Sequence, residues 1–545
     1  MPVDRRPRPP SLSDRVSAWL RNSTVFGHRI GDLTDDARRR TVPNHWTTLL
    51  GVVTVTCVVV VTVTGLILMF FYTPSSESTR YTGPYAALHG AEVSTAFASM
   101  MRISFEVPGG LLVRQLHHWS ALLLPAAALL QLVVTFFTGA FRRPRRGMWL
   151  LLFGIYVVSL AGGWSGYALP DDMLSGTGLR ITEGIIFSIP VVGTWLAQLF
   201  FAGSFPGAVI ENLYPLHVVI VPAVLLVLLV LRGLASWHHK PPQFPGTTRT
   251  DDNVVGVPLV PVAASRAFGL FFLVSAMLVL VSATVTVNPI WLYGPASPGD
   301  ASAGSQPDWY TGFLDGALRL VPPGWEVEIF DRTLTLAMLV PLAVVTVYLL
   351  AVAAYPFVEE WFTGDRREHH LLDRPRNTAV RTSIGIAAMT FYAVLWVAGS
   401  ADLIATHFSV ALEQVIALLQ VLLVVGPVLG FALTHRICLG LQQKESEVAL
   451  HGFETGRIVR LPGGEYVEIH GQLDRFAQQK LARPDSYRPL ALIANDRGRV
   501  PLTQRLRVAV SRFFFEDRIS SATPMLNERK ESADRPVTTD EHVLS

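Results

Sequence analysis

The chain has 545 residues, of which 50% are hydrophobic and only 16% are charged. Soluble domains carry about 25% charged residues, so this composition predicts an integral membrane protein. The net charge is only +3 and the basic residues lie in small clusters between apolar runs, which argues against a nucleic-acid partner. Two cysteines cannot form a disulfide framework or a zinc site, and no Cys-x-x-Cys-His motif for covalent haem occurs.

Eight apolar segments are long enough to cross a membrane. A hydrocarbon core about 30 Å thick requires about 20 apolar residues in a helix. The predicted spans are Trp46–Tyr72, Leu111–Thr138, Met148–Gly166, Val209–Trp237, Ala267–Val287, Leu334–Phe357, Ile384–Ala401 and Val410–Thr434. The basic connections, including Arg142–Arg146 and Arg366–Arg381, fall on one side when all eight are counted. We therefore predict an all-α, multi-pass membrane protein with both termini in the cytoplasm.

The loops and the tail differ in composition. The outer loops 73–110, 167–208 and 288–333 are long and rich in Gly, Pro and aromatic residues, which indicates a site on the outer face. After the eighth span follows a charged tail, in which Arg460–Ile469 predicts a β-hairpin around a Pro-Gly-Gly turn. The last 30 residues have the composition of a disordered segment.

Two histidines lie at matching depth in predicted spans. His117 is near the start of the second span and His217 near the start of the fourth, and both helices run inward. At 1.5 Å per residue, both side chains lie about 9–12 Å below the outer ends of their helices. Two imidazoles on neighbouring helices can bind a haem iron from both sides. The spacing alone fits equally well with two unrelated polar residues bonded to the backbone.

Several motifs occur together in one order. They are Arg114-Gln-Leu-His117-His-Trp, Gly166-Tyr-Ala-Leu-Pro-Asp-Asp172, Gln243-Phe-Pro-Gly246, Pro307-Asp-Trp-Tyr310 and His451-Gly-Phe-Glu-Thr-Gly456. With these motifs the sequence resembles the cytochrome b subunit of cytochrome bc complexes, in particular the actinobacterial menaquinol–cytochrome c reductases. The resemblance covers nearly all of residues 20–470.

The resemblance implies a respiratory oxidoreductase and translocase subunit of the plasma membrane that oxidises menaquinol. Its implied partners are a Rieske iron–sulfur subunit, a c-type cytochrome and a second copy of the chain, and a terminal oxidase is also compatible. It further implies a cytoplasmic arm at residues 1–45 and a haem-binding four-helix bundle at 46–240. A C-terminal membrane domain with the quinol-site loop follows at 241–435, and a cytoplasmic tail at 436–545.

The resemblance implies that this sequence has the residues of the family's outer haem site. His117 and His217 match the axial ligands of the outer haem b, and Arg114 matches the arginine that pairs with a haem propionate. Gly65 and Gly51 lie fourteen residues apart on the first span, as the family's glycines do.

The second haem site of the family does not carry over. Family members hold two haems b, and the inner ligands would lie fourteen or fifteen residues beyond the outer ones, at Gln131 and Arg232. The family's inner arginine falls at Val134, and its third-span glycine falls at Leu152, whose side chain would occupy the space of a porphyrin. The sequence therefore predicts one haem b. An unusual ligand that retains the inner haem is the alternative.

The resemblance also places a quinol site. Asp308 and Tyr310 match the residues that handle the quinol protons, with Asp where many members have Glu. The implied pocket also contains Gly166, Tyr167, Pro170, Pro307 and Trp309. Asp171 and Asp172 are equally compatible with the cap of a short surface helix.

Two other functions are compatible with parts of this pattern. One is a paralogue that binds quinol or partner subunits without turnover. The other is a transporter, for which eight spans with buried polar groups would also serve; the combination of Arg114, His117, His217 and Pro307-Asp-Trp-Tyr310 argues against it.

Overall fold

The structure is a computed structural model of the full chain. It describes residues 35–474 except 204, 298, 301–305, 307, 330 and 331, together with residues 15, 32, 33, 489–493 and 500–515. Within these ranges, eight helices are long and apolar enough to cross a membrane, as the sequence predicts. The spans are Trp46–Met69, Gly110–Phe137, Arg146–Ala168, Val209–His238, Leu259–Thr284, Leu336–Thr363, Ala379–Ala398 and Leu412–His451. The chain is therefore a multi-pass, all-α membrane protein.

Some helix ends lie outside the apolar segments that predict them. The eighth helix continues to His451 instead of ending at Thr434, and the fifth begins at Leu259 instead of Ala267. Hydropathy marks only the part of a helix that faces lipid, whereas Gln, Lys and Glu are good helix formers that continue a helix into water. The eighth helix consequently projects beyond the membrane boundary.

The first four spans form one bundle. Each contributes a buried side chain to a common apolar cluster, with Cys57, Leu124, Leu152 and Leu225 from the first to the fourth span in turn. This cluster occupies the inner half of the bundle. It determines what space is left at the inner level of the bundle.

The sixth, seventh and eighth spans pack with the short helix Gly312–Arg319. Phe313 of that helix is buried with Val345, Leu395 and Leu419 of the three spans. The indole of Trp149 donates a hydrogen bond of 3.1 Å to the carbonyl of Val352 and so links the third span to the sixth. The helix that directly follows Asp308 and Tyr310 is thereby fixed against the sixth, seventh and eighth spans.

Short elements fill the connections. Further α-helices outside the spans include Thr95–Phe105, Met173–Ser188, Gly193–Phe201, Ile290–Tyr293, Ala401–Phe408 and Leu502–Phe515. The described strands form four antiparallel pairs, β1 (Thr41–Val42) with β4 (Val257–Pro258), β2 (Ser78–Arg80) with β3 (Glu92–Ser94), β5 (Glu326–Ile329) with β6 (Arg332–Thr335), and β7 (Phe453–Arg460) with β8 (Tyr466–Gly471).

The last of these pairs confirms the hairpin predicted in the tail. Arg460 pairs with Tyr466, so the Pro-Gly-Gly sequence lies in the turn. The predicted disorder of the last 30 residues falls outside the described residues.

Arginines of the loop between the second and third spans are paired with the end of the sixth span and the loop that follows it. Arg143 contacts Glu360 at 2.6 Å, and Arg145 donates to the carbonyl of His369. The buried Arg381 binds both Glu359 and Asp373. Removing one partner of such a buried pair would leave an uncompensated charge, so this network holds the two halves of the membrane domain in register.

Candidate functional site

The two histidines predicted to lie at one depth face each other. His117 lies on the second span, and His217 lies in a wide π-helical turn, Leu216–Ile220, of the fourth. Their ring centres are 6.1 Å apart, with 71° between the ring planes. Two metal–nitrogen bonds of about 2.0 Å, plus the distance from each nitrogen to its ring centre, add up to roughly 6 Å. The separation is therefore that of two imidazoles on opposite sides of one metal ion.

Two hydroxyl groups determine which ring nitrogen is free. The Thr64 hydroxyl donates to the carbonyl of Val60 and lies 3.0 Å from Nδ1 of His117. The Ser165 hydroxyl donates to the carbonyl of Gly162 and lies 3.1 Å from Nδ1 of His217. Because each hydroxyl has one hydrogen, Nδ1–H of the imidazole must be the donor in the second contact. This leaves Nε2 of both rings unprotonated, which is the form that binds a metal.

Each histidine packs against a glycine that directly follows its hydroxyl partner. A Cβ at Gly65 would lie 3.0 Å from Cε1 of His117, and a Cβ at Gly166 would lie 2.5 Å from Cε1 of His217. A larger residue at Gly166 would push the His217 imidazole from its place, and one at Gly65 would require the His117 imidazole to move by a few tenths of an ångström. Gly166, predicted as a wall of the quinol pocket, therefore also backs a candidate metal ligand.

Arg114 lies beside the histidine pair with one donor unused. It is buried, and its Nη2 donates a hydrogen bond of 2.7 Å to the carbonyl of Asn288. Its Nη1 is also buried and has no hydrogen-bond partner among the described residues. Buried guanidinium groups normally use their donors, so the free one suits an anionic group such as a propionate.

One cavity connects this pair to the predicted quinol residues. It has a volume of about 240 Å³ and is lined by His117, His217, Asp308 and Tyr310. Other predicted site residues also line it, namely Gly65, Arg114, Gly166, Tyr167 and Pro170. The structure therefore brings together residues from the first four spans and from the loop after the fifth.

One predicted pocket residue, Trp309, is not part of that lining. Pro307 lies outside the described residues. The indole of Trp309 donates to the carbonyl of Leu122 at 3.3 Å, and the Trp309 carbonyl accepts a hydrogen bond of 2.8 Å from Trp396. Trp309 thus anchors the loop between the second and seventh spans.

Asp308 is held in a hydrogen-bonded group. Its carboxylate accepts hydrogen bonds from Nε2 of His118, at 3.1 and 3.2 Å, and from the Tyr310 hydroxyl at 2.9 Å. Burial alone would raise the pKa of Asp308, but His118, Tyr310 and Asn288 outweigh burial and lower it below its usual value. Burial and the neighbouring Asp308 raise the pKa of Tyr310 well above its usual value. The carboxylate form of Asp308 is therefore favoured, while Tyr310 keeps its proton.

The loop after the third span forms another wall. Asp172 accepts a hydrogen bond of 3.0 Å from the backbone N–H of Ser175 and caps the helix Met173–Ser188, while it also lines the cavity. The Tyr167 hydroxyl donates to the carbonyl of Leu174 at 2.9 Å. The cap and this bond fix the loop that carries Pro170.

Sequence analysis did not identify three residues of this site: His118, Thr64 and Ser165. His118 follows His117 directly, and its partner Asp308 is 190 residues away, so only the folded chain reveals the contact. A local signal did exist for the hydroxyls, since Thr64 precedes Gly65 and Ser165 precedes Gly166.

The level of the family's inner haem is filled by the bundle itself. Gln131 is buried and donates to the hydroxyl of Thr54 and, at 3.4 Å, to the carbonyl of Ala127. Leu152 is 1% exposed and belongs to the apolar cluster of the four spans. Val134 is half-buried. These residues do not fit a haem, because neither Gln131 nor Arg232 offers an imidazole and Leu152 occupies the space.

Among the positions compared with the family's inner haem site, Arg232 has an unsatisfied hydrogen-bond donor. Its Nε is buried without a hydrogen-bond partner in the part of the chain that the structure describes. A buried donor without a partner costs about 1–3 kcal/mol. We expect Arg232→Leu to raise the thermal unfolding midpoint of the detergent-solubilised protein by a few degrees. The exposed Arg436→Leu is the matched control, and a lowered midpoint for Arg232→Leu alone would show that the guanidinium has a favourable partner.

Known proteins are similar to this chain in sequence. A family model described as "Cytochrome b(N-terminal)/b6/petB" matches residues 122–295. The chain is 41% identical over 527 residues to the cytochrome bc1 complex cytochrome b subunit of Streptomyces coelicolor, covering 94% of this chain and 96% of that protein. It is 43% identical over 433 residues to the corresponding subunit of Mycobacterium leprae, with 79% and 78% coverage.

A solved structure supports the fold. A chain of a "Hyperthermophilic respiratory Complex III" superposes with a TM-score of 0.55 at 18% identity, covering 76% of this chain and 99% of that one. At this identity the likeness concerns the fold alone.

Fold and sequence together define the class as a helical membrane subunit of respiratory electron transport. The chain belongs to the family of cytochrome bc1 complex cytochrome b subunits. Membership confirms the resemblance seen in the motifs and implies binding of haem b within an oxidoreductase complex.

Proposed function

We propose that this chain oxidises menaquinol at the outer face of the plasma membrane and holds one haem b, between His117 and His217. The observation that supports this most directly is the single cavity lined by both histidines and by Asp308 and Tyr310. A quinol bound near Asp308 would lie beside the group held by the histidines. The proposal places both termini in the cytoplasm and includes a Rieske subunit, a c-type cytochrome and a homodimer.

The protons of the quinol are handled by residues of the chain. Oxidation of a quinol to a quinone releases two protons and two electrons. The ionised Asp308 carboxylate accepts a proton from a quinol hydroxyl, while Nε2–H of His118 and the Tyr310 hydroxyl keep the carboxylate oriented. The Asp308 side chain is 8% exposed, so its carboxylate has little contact with bulk water.

Residues of the bundle would hold the cofactor. His117 and His217 would hold the haem through their imidazoles, and the free Nη1 of Arg114 would bind a propionate. When bound, haem b takes up and passes on single electrons. Gly65 and Gly166 keep the space that the imidazoles need.

The residues at the level of the family's inner haem limit the path that an electron can take across the membrane. In the family, one electron from each quinol goes to the Rieske cluster and the other crosses both haems to the inner face. Fourteen residues at 1.5 Å place the inner level about 20 Å from the outer one, and Gln131 and Leu152 provide no relay. We therefore propose that a bifurcated cycle does not run through this chain and that both electrons leave on the outer side.

The test is a purified complex assayed for haem content and turnover. We expect one haem b per chain, titrating as a single redox component, together with menaquinol-driven reduction of a membrane-impermeant cytochrome c. A second component would contradict the loss of the inner site. A rate no higher than the inhibitor-insensitive background would reject turnover and favour a paralogue that binds without catalysis.

A single methyl group at Gly166 should also disturb the site. The Cβ of Gly166→Ala would lie 2.5 Å from Cε1 of His217, closer than such atoms approach, so the imidazole must move. We expect the haem content per chain to fall by at least about half, because the ligand leaves its place. Gly233→Ala is the control, since that glycine lies on the same helix as His217 and has no neighbour within 4 Å. Equal haem content in both variants would contradict the role of Gly166.

A further inference from the structure

The helix Leu502–Phe515, which we call the C-terminal helix, packs against the ends of three spans. Phe514 lies 5.0 Å from Phe362 of the sixth span, ring centre to ring centre. Phe514 and Phe515 are buried together with Val380 at the start of the seventh span. Phe513 stacks at 6.3 Å on Phe431 of the eighth span. One face of the helix is therefore fixed to the membrane domain.

These contacts lie at the level of the membrane boundary. Phe431 belongs to the last turn of the apolar part of the eighth helix, because the first charged residue after it is Arg436. On the sixth span, the acidic pair Glu359 and Glu360 marks the same transition one turn before Phe362. The C-terminal helix thus lies where acyl chains give way to headgroups on the side of the termini.

Another face of the C-terminal helix is apolar and exposed. The exposed fractions are 73% for Leu502, 55% for Leu506 and 40% for Val510. A spacing of four residues places these three side chains in one stripe along a helix. No described residue covers this stripe, and Phe513 connects the helix to the eighth span through its contact with Phe431.

The charges on this helix have one sign. Arg505 and Arg512 are exposed beside the apolar stripe, and Arg507 lies 6.0 Å from the ring centre of Trp361. Residues 501–515 contain no acidic residue. A helix with an apolar stripe flanked by arginines has the composition of an element that lies in the membrane interface.

We propose that the C-terminal helix binds the cytoplasmic leaflet of the membrane. Its apolar stripe inserts among the acyl chains, and Arg505 and Arg512 contact the phosphates of anionic lipids. The position of the helix at the ends of the spans and its positive charge favour lipid over a protein partner. The inference uses the proposed orientation of the termini and is independent of catalysis.

The test measures the depth of single positions in the whole complex. Cys57 and Cys438 are buried, so a maleimide fluorophore will label an introduced exposed cysteine. Leu506→Cys and Val510→Cys report on the stripe. Ile458→Cys on β7 is the control, because the eighth helix runs beyond Arg436 to His451 before that strand begins. The labelled complexes are placed in phosphatidylcholine vesicles with or without phosphatidylglycerol, and nitroxides on the acyl chains serve as quenchers.

We expect labels at Leu506→Cys and Val510→Cys to be quenched about threefold more than the control label, and more strongly with phosphatidylglycerol. Adding Arg505→Gln and Arg512→Gln should remove roughly half of the increase that phosphatidylglycerol causes. Quenching equal to that of the control would overturn membrane insertion. Labels that are shielded from the nitroxides in the assembled complex would instead identify a protein partner on this face and overturn the proposal. Quenching that depends neither on phosphatidylglycerol nor on the two arginines would overturn the proposed binding of anionic lipids.

Discussion

Replacing either His117 or His217 with leucine is expected to leave the chain without any haem b. The ring centres of the two imidazoles are 6.1 Å apart, so each variant would remove one of the two side chains that we propose hold the same haem. A chain with two independent haem sites would keep one haem in such a variant, whereas a chain with one site keeps none. Haem b per polypeptide, measured on the purified complex, distinguishes these results, and quinol-driven cytochrome c reduction should fall to background in both variants.

The histidines at the inner end of the fourth span provide the control for this experiment. His238 and His239 lie at the end of that helix with their ring centres 5.4 Å apart. His238→Leu should keep the full haem content, because this side chain lies far from the cavity. Retention of one haem in both His117→Leu and His217→Leu would contradict a single haem site and would point to an inner ligand other than histidine.

Asp308→Asn is expected to lower the turnover number of quinol oxidation by at least about 100-fold. The amide has nearly the shape of the carboxylate but cannot accept a proton at neutral pH. Haem content should remain unchanged, since Asp308 contacts His118 and Tyr310 instead of the paired histidines. Steady-state rates of cytochrome c reduction with a soluble menaquinol analogue measure the effect.

Two further variants test whether the lower rate of Asp308→Asn is due to the loss of a proton acceptor. Asp308→Glu restores a carboxylate and should recover a large part of the rate, because proton acceptance is the property that matters. Glu326→Gln removes an exposed carboxylate from β5 in the same loop and should leave the rate unchanged. If Asp308→Asn keeps more than about a tenth of the rate, Asp308 is not the main proton acceptor.

A single-haem site would change the energetic role of this subunit. With both electrons leaving on the outer side, quinol oxidation still releases two protons there. No electron then returns across the membrane to a second quinone. Such a chain would therefore conserve less energy per quinol than a member of the family with both haems.

The sequence by itself determined the membrane class, the eight spans and the depth of the two histidines. These features are local, because hydropathy and helical rise are properties of contiguous residues. The sequence also located Asp308 and Tyr310 through a contiguous motif, and it predicted the hairpin of β7 and β8 from its turn residues. The missing inner ligands at Gln131 and Arg232 follow from the same counting along a helix.

Only the tertiary structure decided how distant residues combine. The contact between His118 and Asp308 joins positions 190 residues apart, and Trp309 anchors the loop instead of lining the cavity. The position of the C-terminal helix against Phe362 and Phe431 was equally inaccessible, because packing depends on the relative placement of whole helices. Local patterns determine which helices form and how deep a residue lies, whereas the choice of its neighbours is made by side-chain packing between segments far apart in the chain.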